Sequence, residues 1–308
     1  MAVQNIFIAG MEKCGTSALY AWMVANGLAE ERVPGVKEPY LYANDAPHPP
    51  RTRTSSLPLL DASVGYAGNA AVVARMPEYD TRIVLCLRNQ LERTWSAYKM
   101  KKLIFGARAD ERIHHLSSQG NAETGRRRLD ELELDQETYS ITRSYFPRRS
   151  HHHVDRYLQK EREHLCSHDF AGRIEYELSF FLARRMLPFL SVLDASFLYR
   201  PMRNLLERYQ PEDLSVVSVN RLADAADRRR FVNGVFGKDV ETPDVPFSFS
   251  SGEVAFAEPK PDFNDKSFDL LRAAFRYDLS QARALIATTR FGDSLLDNAA
   301  LDRYLDPR

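Results

Sequence analysis

The chain has 308 residues, 44% hydrophobic and 27% charged, enough for one large or two medium domains and too apolar for disorder. With 14 Gly, 16 Pro and 3 Cys, collagen and disulfide-scaffold compositions are excluded. Lys and Arg number 42, as do Asp and Glu, so no global field attracts nucleic acid and any anion must be held by a local site.

Asn5-Ile6-Phe7-Ile8-Ala9 is a continuous apolar run closed by Gly10, the pattern of a parallel strand buried on both faces. The segment Met1 to Ala9 is short and lacks a basic n-region, so it is not read as a signal peptide. From Thr16 to Asn26, Leu19, Trp22, Met23 and Asn26 recur at three- and four-residue steps, which predicts a helix ended by Gly27. Gly10 to Gly15 is therefore a strand-to-helix loop. Residues 44–58 form a Pro-rich polar connection. A second buried strand is predicted over Thr81–Leu87, then a helix from Gln90 to Lys102. Residues 106–175 are polar and weakly periodic, and 106–190 is expected to form a helical insertion or lid over the core. A helix over Phe197–Tyr209, a third strand over Leu214–Val219 and a helix carrying Phe268, Leu271, Phe275 and Leu279 follow. Strands separated by helical stretches predict one α/β domain over 1–308, with a parallel sheet and right-handed crossovers. No run approaches the ~18 apolar residues of a membrane span. Cys14, Cys86 and Cys166 give neither a metal spacing nor a disulfide framework, so a reduced, cytoplasmic protein without a metal is expected.

In Gly10-Met11-Glu12-Lys13-Cys14-Gly15-Thr16-Ser17 the chain leaves a buried strand and opens a helix, where unpaired N–H groups and the positive dipole end favour an anion. Gly10 and Gly15 are expected to supply the backbone angles that turn those amides inward. Thr16 and Ser17 add hydroxyls, and Lys13 adds a point charge. The plainer alternative is a tight turn with Thr16 as N-cap, but three such residues together favour phosphate binding. In the ATP-binding P-loop, Lys directly follows the second Gly. Here that place is Thr16, and the lysine comes two residues before Gly15.

The order Lys13-Cys14-Gly15-Thr16-Ser17-Ala18-Leu19 resembles the 5′-phosphosulfate loop of the sulfotransferase family, whose sulfo donor is 3′-phosphoadenosine 5′-phosphosulfate (PAPS). The resemblance implies a P-loop-like three-layer α/β fold with a central parallel sheet flanked by helices. It also implies donor contacts from Lys13, Cys14, Gly15, Thr16, Ser17 and Ala18. Family members carry an Arg at the second strand's end and a Ser eight residues on, both holding the donor's 3′-phosphate; Arg88 and Ser96 match. Val36-Lys37-Glu38-Pro39-Tyr40-Leu41-Tyr42 is similar to the Lys-Glu-Pro segment of the heparan-sulfate and Golgi-type enzymes and their bacterial relatives, where the glutamate is the proposed base. Asp61-Ala62-Ser63-Val64-Gly65-Tyr66 resembles the next family segment, with Ala62 where lysine is usual and Val64 where proline is. The usual C-terminal Lys-Gly-Arg donor loop is absent, and Gly252 to Lys260 occupies its region. The match is good over 4–100, loose over 195–290 and poor over 106–190.

Sulfo transfer should resemble phosphoryl transfer, with a loose in-line transition state and charge growing on the leaving oxygen. Lys13 is suited to stabilise that charge, and Glu38, made more basic by burial, to take the acceptor's proton. Glu38 has a structural alternative, an ion pair with Lys37. A sulfo group carries less charge than a γ-phosphate, so no bridging metal is demanded. His48, His151-His152-His153, Arg126-Arg127-Arg128 and Arg148-Arg149 are read as solvated surface, and Cys14 as a small loop-filling residue. The expected protein is a PAPS-dependent sulfotransferase that releases adenosine 3′,5′-bisphosphate. Its expected acceptor is a hydroxyl of a small molecule or sugar-bearing natural product, with 106–190 over the acceptor site and no nucleic-acid or membrane partner. A P-loop kinase and a catalytically silent nucleotide-binding module are the alternatives, the latter because of Ala62 and the missing donor loop.

Overall fold

Ile6, Phe7, Ile8 and Ala9 are fully buried, so the N-terminal apolar run forms β1, Asn5–Gly10, in the interior of a five-stranded sheet. The computed structural model describes residues 3–43, 56–106, 160–237 (without 185, 186 and 189), 240–247 (without 244 and 246) and 256–305. His48, the His151–His153 run, both arginine runs and most of the expected lid lie outside the described residues. After β1 come α1 (Thr16–Ala25), β2 (Glu30–Glu31), β3 (Leu59–Asp61), α2 (Ala70–Val73), β4 (Thr81–Cys86) and α3 (Gln90–Gly106). Then follow α4 (Phe170–Arg184), α5 (Tyr199–Leu206), β5 (Leu214–Val217), α6 (Ala225–Phe236), α7 (Asp269–Ile286) and α8 (Asn298–Asp302).

Among the described residues the five strands pair in parallel, in the order β2-β3-β1-β4-β5, and helices flank the sheet. This is the expected α/β architecture. Parallel strands deliver the chain to one edge of the sheet, where ligands of open α/β folds bind. Gly10, Asp61, Cys86 and Val217 all end there, and the segments leaving those ends carry the candidate site. α1 stops where the sequence predicts. The amides of Gly27 and Leu28 donate to the carbonyls of Val24 and Met23 at 3.1 and 3.0 Å, with Gly27 at φ 64°. This is the paired-bond cap that needs a left-handed glycine.

The chain divides into two compact units, and the division falls inside α3 after Arg93. The first comprises Met1–Arg93, Ala195–Ser250 and Phe268–Arg308 and holds the whole sheet. The second comprises Thr94–Asp194 and Ser251–Ser267. In it Trp95 stacks on Tyr98 at 5.6 Å between ring centroids and meets Phe170 and Phe256 edge-on at 5.3 and 5.5 Å. Buried Arg173 donates to Glu161 at 3.0 Å and to Glu177 at 2.7 Å, so this buried cation is matched by carboxylates. No helix among the described residues is long and apolar enough to cross a membrane.

Candidate active site

The loop leaving β1 is shaped by three residues. Gly10 does not supply the expected left-handed angle but sits in a tight place. A Cβ there would meet Leu85 Cδ2 at 3.3 Å and the Val64 carbonyl at 3.4 Å, and its φ is not positive. The left-handed residues are Gly15, at φ 86°, and Lys13 itself, at φ 66°. Left-handed residues at alternate positions build the concave backbone nest that suits anions. Cys14 is buried beneath, its thiol near the Glu12 carbonyl at 3.8 Å. Burial pushes that thiol up to about 11, so it stays protonated and fills space.

The start of α1 is open. Its N-cap is Gly15, which offers no side chain, so Thr16 is not the capping residue. The Cys14 amide donates to the Met11 carbonyl at 3.2 Å, and Leu19 is the next to find an acceptor, Gly15 O at 3.1 Å. Among the described residues nothing accepts from the amides of Gly15, Thr16, Ser17 and Ala18. Four such donors at a helix N-terminus form a ready anion site.

Positive charge converges on this loop. Burial holds the Lys13 ammonium below its ordinary value of 10.5; Glu12 opposes the shift, while Lys37, Arg88 and Arg93 reinforce it. A bound anion reverses the like-charge part of that shift, so binding should take up a proton. Affinity for an anionic nucleotide should therefore fall as pH rises through the depressed Lys13 value, before 10.5 is reached. Calorimetry in buffers of different ionisation enthalpy checks this, and zero proton uptake across that window would contradict it.

Glu38 and Lys37 sit against the loop. The Lys37 ammonium donates to Glu38 Oε1 at 2.5 Å and to Thr16 Oγ1 at 3.3 Å. The ion pair raised as an alternative for Glu38 is therefore present, and Glu38 is only partly buried, with its side chain 20% exposed. Tyr40 donates its hydroxyl to Glu38 Oε2 at 2.7 Å. Tyr40 holds a left-handed backbone, φ 47°, that costs energy in a non-glycine residue. Its amide is pinned by Ser63 Oγ at 2.9 Å, and Ser63 Oγ donates to Asp61 Oδ1 at 2.7 Å. Asp61 is fully buried, accepts from Tyr66 at 3.2 Å and lies 3.9 Å from Arg32 Nε. Arg32 is in turn held by Asn5 Oδ1 at 2.6 Å and by the face of Phe7. A chain of polar contacts thus runs from the sheet's interior to the candidate base.

At the end of β4, Asn89 Oδ1 accepts from the amides of Leu91 and Glu92, which caps α3. Asn89 Nδ2 donates to the carbonyls of Ala300, Leu301 and Arg303, clipping the C-terminal segment beside Arg88. Arg88 pairs with Glu92 at 3.3 Å and stays about one-third exposed, 36%. Together with Cys14, Asn220 and Arg303 it lines a cavity of about 300 Å³ next to the loop. Ser96 lies two turns along α3, beyond the division between the units, with a partly buried side chain. Arg93 was not foreseen. It is 1% exposed, donates to Ser196 Oγ at 3.0 Å and lies 3.6 Å from Glu12. Its Nε and Nη2 find no hydrogen-bond acceptor among the described residues. The apolar stripe Leu91, Trp95 and Tyr98 puts Arg93 on the opposite face of the helix, so its burial has no local signal.

No family model matches the chain, and no curated protein does. Among solved structures, a sulfotransferase from Alicyclobacillus acidocaldarius is similar to it, with 18% sequence identity and a TM-score of 0.52. The similarity covers 92% of this chain and 96% of that one. At that identity what is shared is the fold: a parallel sheet with helices on its faces, laid out as in a sulfotransferase.

Proposed function

We propose that this chain moves a sulfo group from PAPS to a hydroxyl acceptor and releases adenosine 3′,5′-bisphosphate. The observation that carries the reading is the open end of α1, with four amides that no described residue accepts from, beside Lys13, Lys37, Arg88 and Arg93. The fold neighbour and the motif resemblance support it. In this reading Cys14 to Ala18 cradle the 5′-phosphosulfate, and Lys13 meets the charge that grows on the leaving oxygen. Glu38, oriented by Tyr40 and Lys37, takes the proton of the attacking hydroxyl. Arg88 and Ser96 hold the 3′-phosphate. The enzyme belongs with the heparan-sulfate and Golgi-type branch and its bacterial relatives. It works in the cytoplasm on a small or sugar-bearing acceptor, in one functional domain. No metal takes part.

Arg88→Ala should weaken adenosine 3′,5′-bisphosphate by about 10–100-fold, the worth of a charge-assisted hydrogen bond, and plain AMP far less. Equal losses for both ligands, read by equilibrium titration, would refute the 3′-phosphate role. The activity itself is tested by incubating the protein with PAPS labelled in its sulfo group and fractionated metabolites. One acceptor class should gain label. Tighter binding of ATP with Mg²⁺ than of the bisphosphate would point to a kinase instead.

A further inference from the structure

We propose that Lys37 delivers a second positive charge to the transferring group, released from Glu38 when that carboxylate takes the acceptor's proton. The inference rests on the sulfotransferase reading above. The Lys37 ammonium, 2.5 Å from Glu38 Oε1 and 3.3 Å from Thr16 Oγ1, bridges the candidate base and the anion loop. Its second contact, to the loop's hydroxyl, sets the charge beside the anion site as well as beside Glu38. By lying there it adds to the charge that already depresses Lys13, a cost that an incoming anion offsets.

The segment after β3 explains why Lys37 is free to take this part. Ala62 is fully buried, and its amide donates to the Lys37 carbonyl at 3.0 Å. The position at which the resemblance leads one to expect a lysine therefore brings no charge and serves as a clamp on the Lys37 backbone. The ammonium is carried on a side chain 17% exposed.

In the step, the acceptor oxygen forms a bond to sulfur while the bond from sulfur to the 5′-phosphate oxygen breaks. The electron pair stays on that phosphate oxygen, and the acceptor's proton goes to Glu38. The Lys37–Glu38 pair thus passes from neutral to one positive charge as the leaving group gains one negative charge. Proton removal and leaving-group stabilisation become a single event.

The test compares wild type, Lys37→Gln, Glu38→Gln and the double variant with labelled donor. Lys37→Gln should slow transfer about 10²-fold in the wild-type background, as loss of a preorganised charge does. It should slow it again, by at least about tenfold, where Glu38 is already Gln, because the charge acts on the donor as well as on its neighbour. Affinity for adenosine 3′,5′-bisphosphate, which lacks the sulfo group, should change by less than about fivefold, and Lys37→Arg should recover part of the rate. No further loss in the Glu38→Gln background, or a rate loss matched by an equal loss of bisphosphate affinity, overturns the inference and leaves Lys37 as a brace. A wild type that neither binds the bisphosphate nor transfers sulfo overturns the parent reading and this inference together.

Discussion

Lys13→Ala is expected to lower the rate of sulfo transfer by about 10²–10³-fold, the usual cost of removing a preorganised stabiliser of developing charge. Affinity for adenosine 3′,5′-bisphosphate should fall less, because the amides of Gly15 to Ala18 remain. A second consequence runs the other way. The Lys13 ammonium is partly buried, and Lys37, Arg88 and Arg93 add like charge that Glu12 only opposes in part. Burial and repulsion both disfavour its charged form, so replacing it with an uncharged side chain should leave the ligand-free protein as stable as wild type or more so. Function and stability then conflict at this position, as they often do where charge is assembled for a ligand. Steady-state kinetics with labelled donor, paired with melting curves of the free protein, check both signs. An unchanged rate would remove Lys13 from the chemistry; a marked loss of stability would mean that it braces the loop.

Asp61→Ala is expected to destabilise the fold by about 3–5 kcal/mol, the cost of leaving a buried ionic partner behind. Arg32, 9% exposed, would lose its carboxylate and keep only neutral partners, Asn5, the Tyr42 hydroxyl and the Phe7 and Tyr42 rings, while the Ser63 hydroxyl and Tyr66 would each lose an acceptor. The damage should extend to the candidate base. Ser63 pins the Tyr40 amide, and Tyr40 holds Glu38 from a left-handed backbone that needs that support. Denaturant titration measures the first effect. The second appears as a fall in kcat at temperatures where the variant is still folded. A variant as stable as wild type would show that the Asp61 network does not hold this edge of the sheet together.

The parts of this fold that can be read from sequence are those whose burial is written in composition. β1 and β4 are covered on both faces, so their apolar runs are unbroken, and α1 announces its end with Gly27. β2 is two glutamates and β3 is three residues ending in Asp61, too short to set up any period. α6 has four charged residues, Asp227 to Arg230, in its first half; its one clear signal is Asp224, whose carboxylate accepts from the amides of Ala226 and Asp227. The helix from Gln90 overruns the expected Lys102 to Gly106, and the third strand stops at Val217 where a tight turn over Val219–Ala223 begins. In the site, the phosphate loop could be placed because it combines a strand end, a helix start and a lysine. Gly10 shows the limit of that reasoning, since its backbone angle is ordinary and what marks the position is the close approach of Leu85 and Val64, a tertiary fact. Arg93 is of the same kind, since its partners Glu12 and Ser196 are far away in sequence, and so is the pairing of Asp61 with Arg32.

The central claim is that the turn between β1 and α1 receives the inner phosphate of a doubly phosphorylated adenosine. A crystal structure of the protein soaked with adenosine 3′,5′-bisphosphate tests it most directly. The predicted result places the 5′-phosphate within hydrogen-bonding distance of the amides of Gly15, Thr16 and Ser17 and of the Lys13 ammonium, with the 3′-phosphate on Arg88. A nucleotide bound elsewhere, with those amides facing only water, would contradict the account.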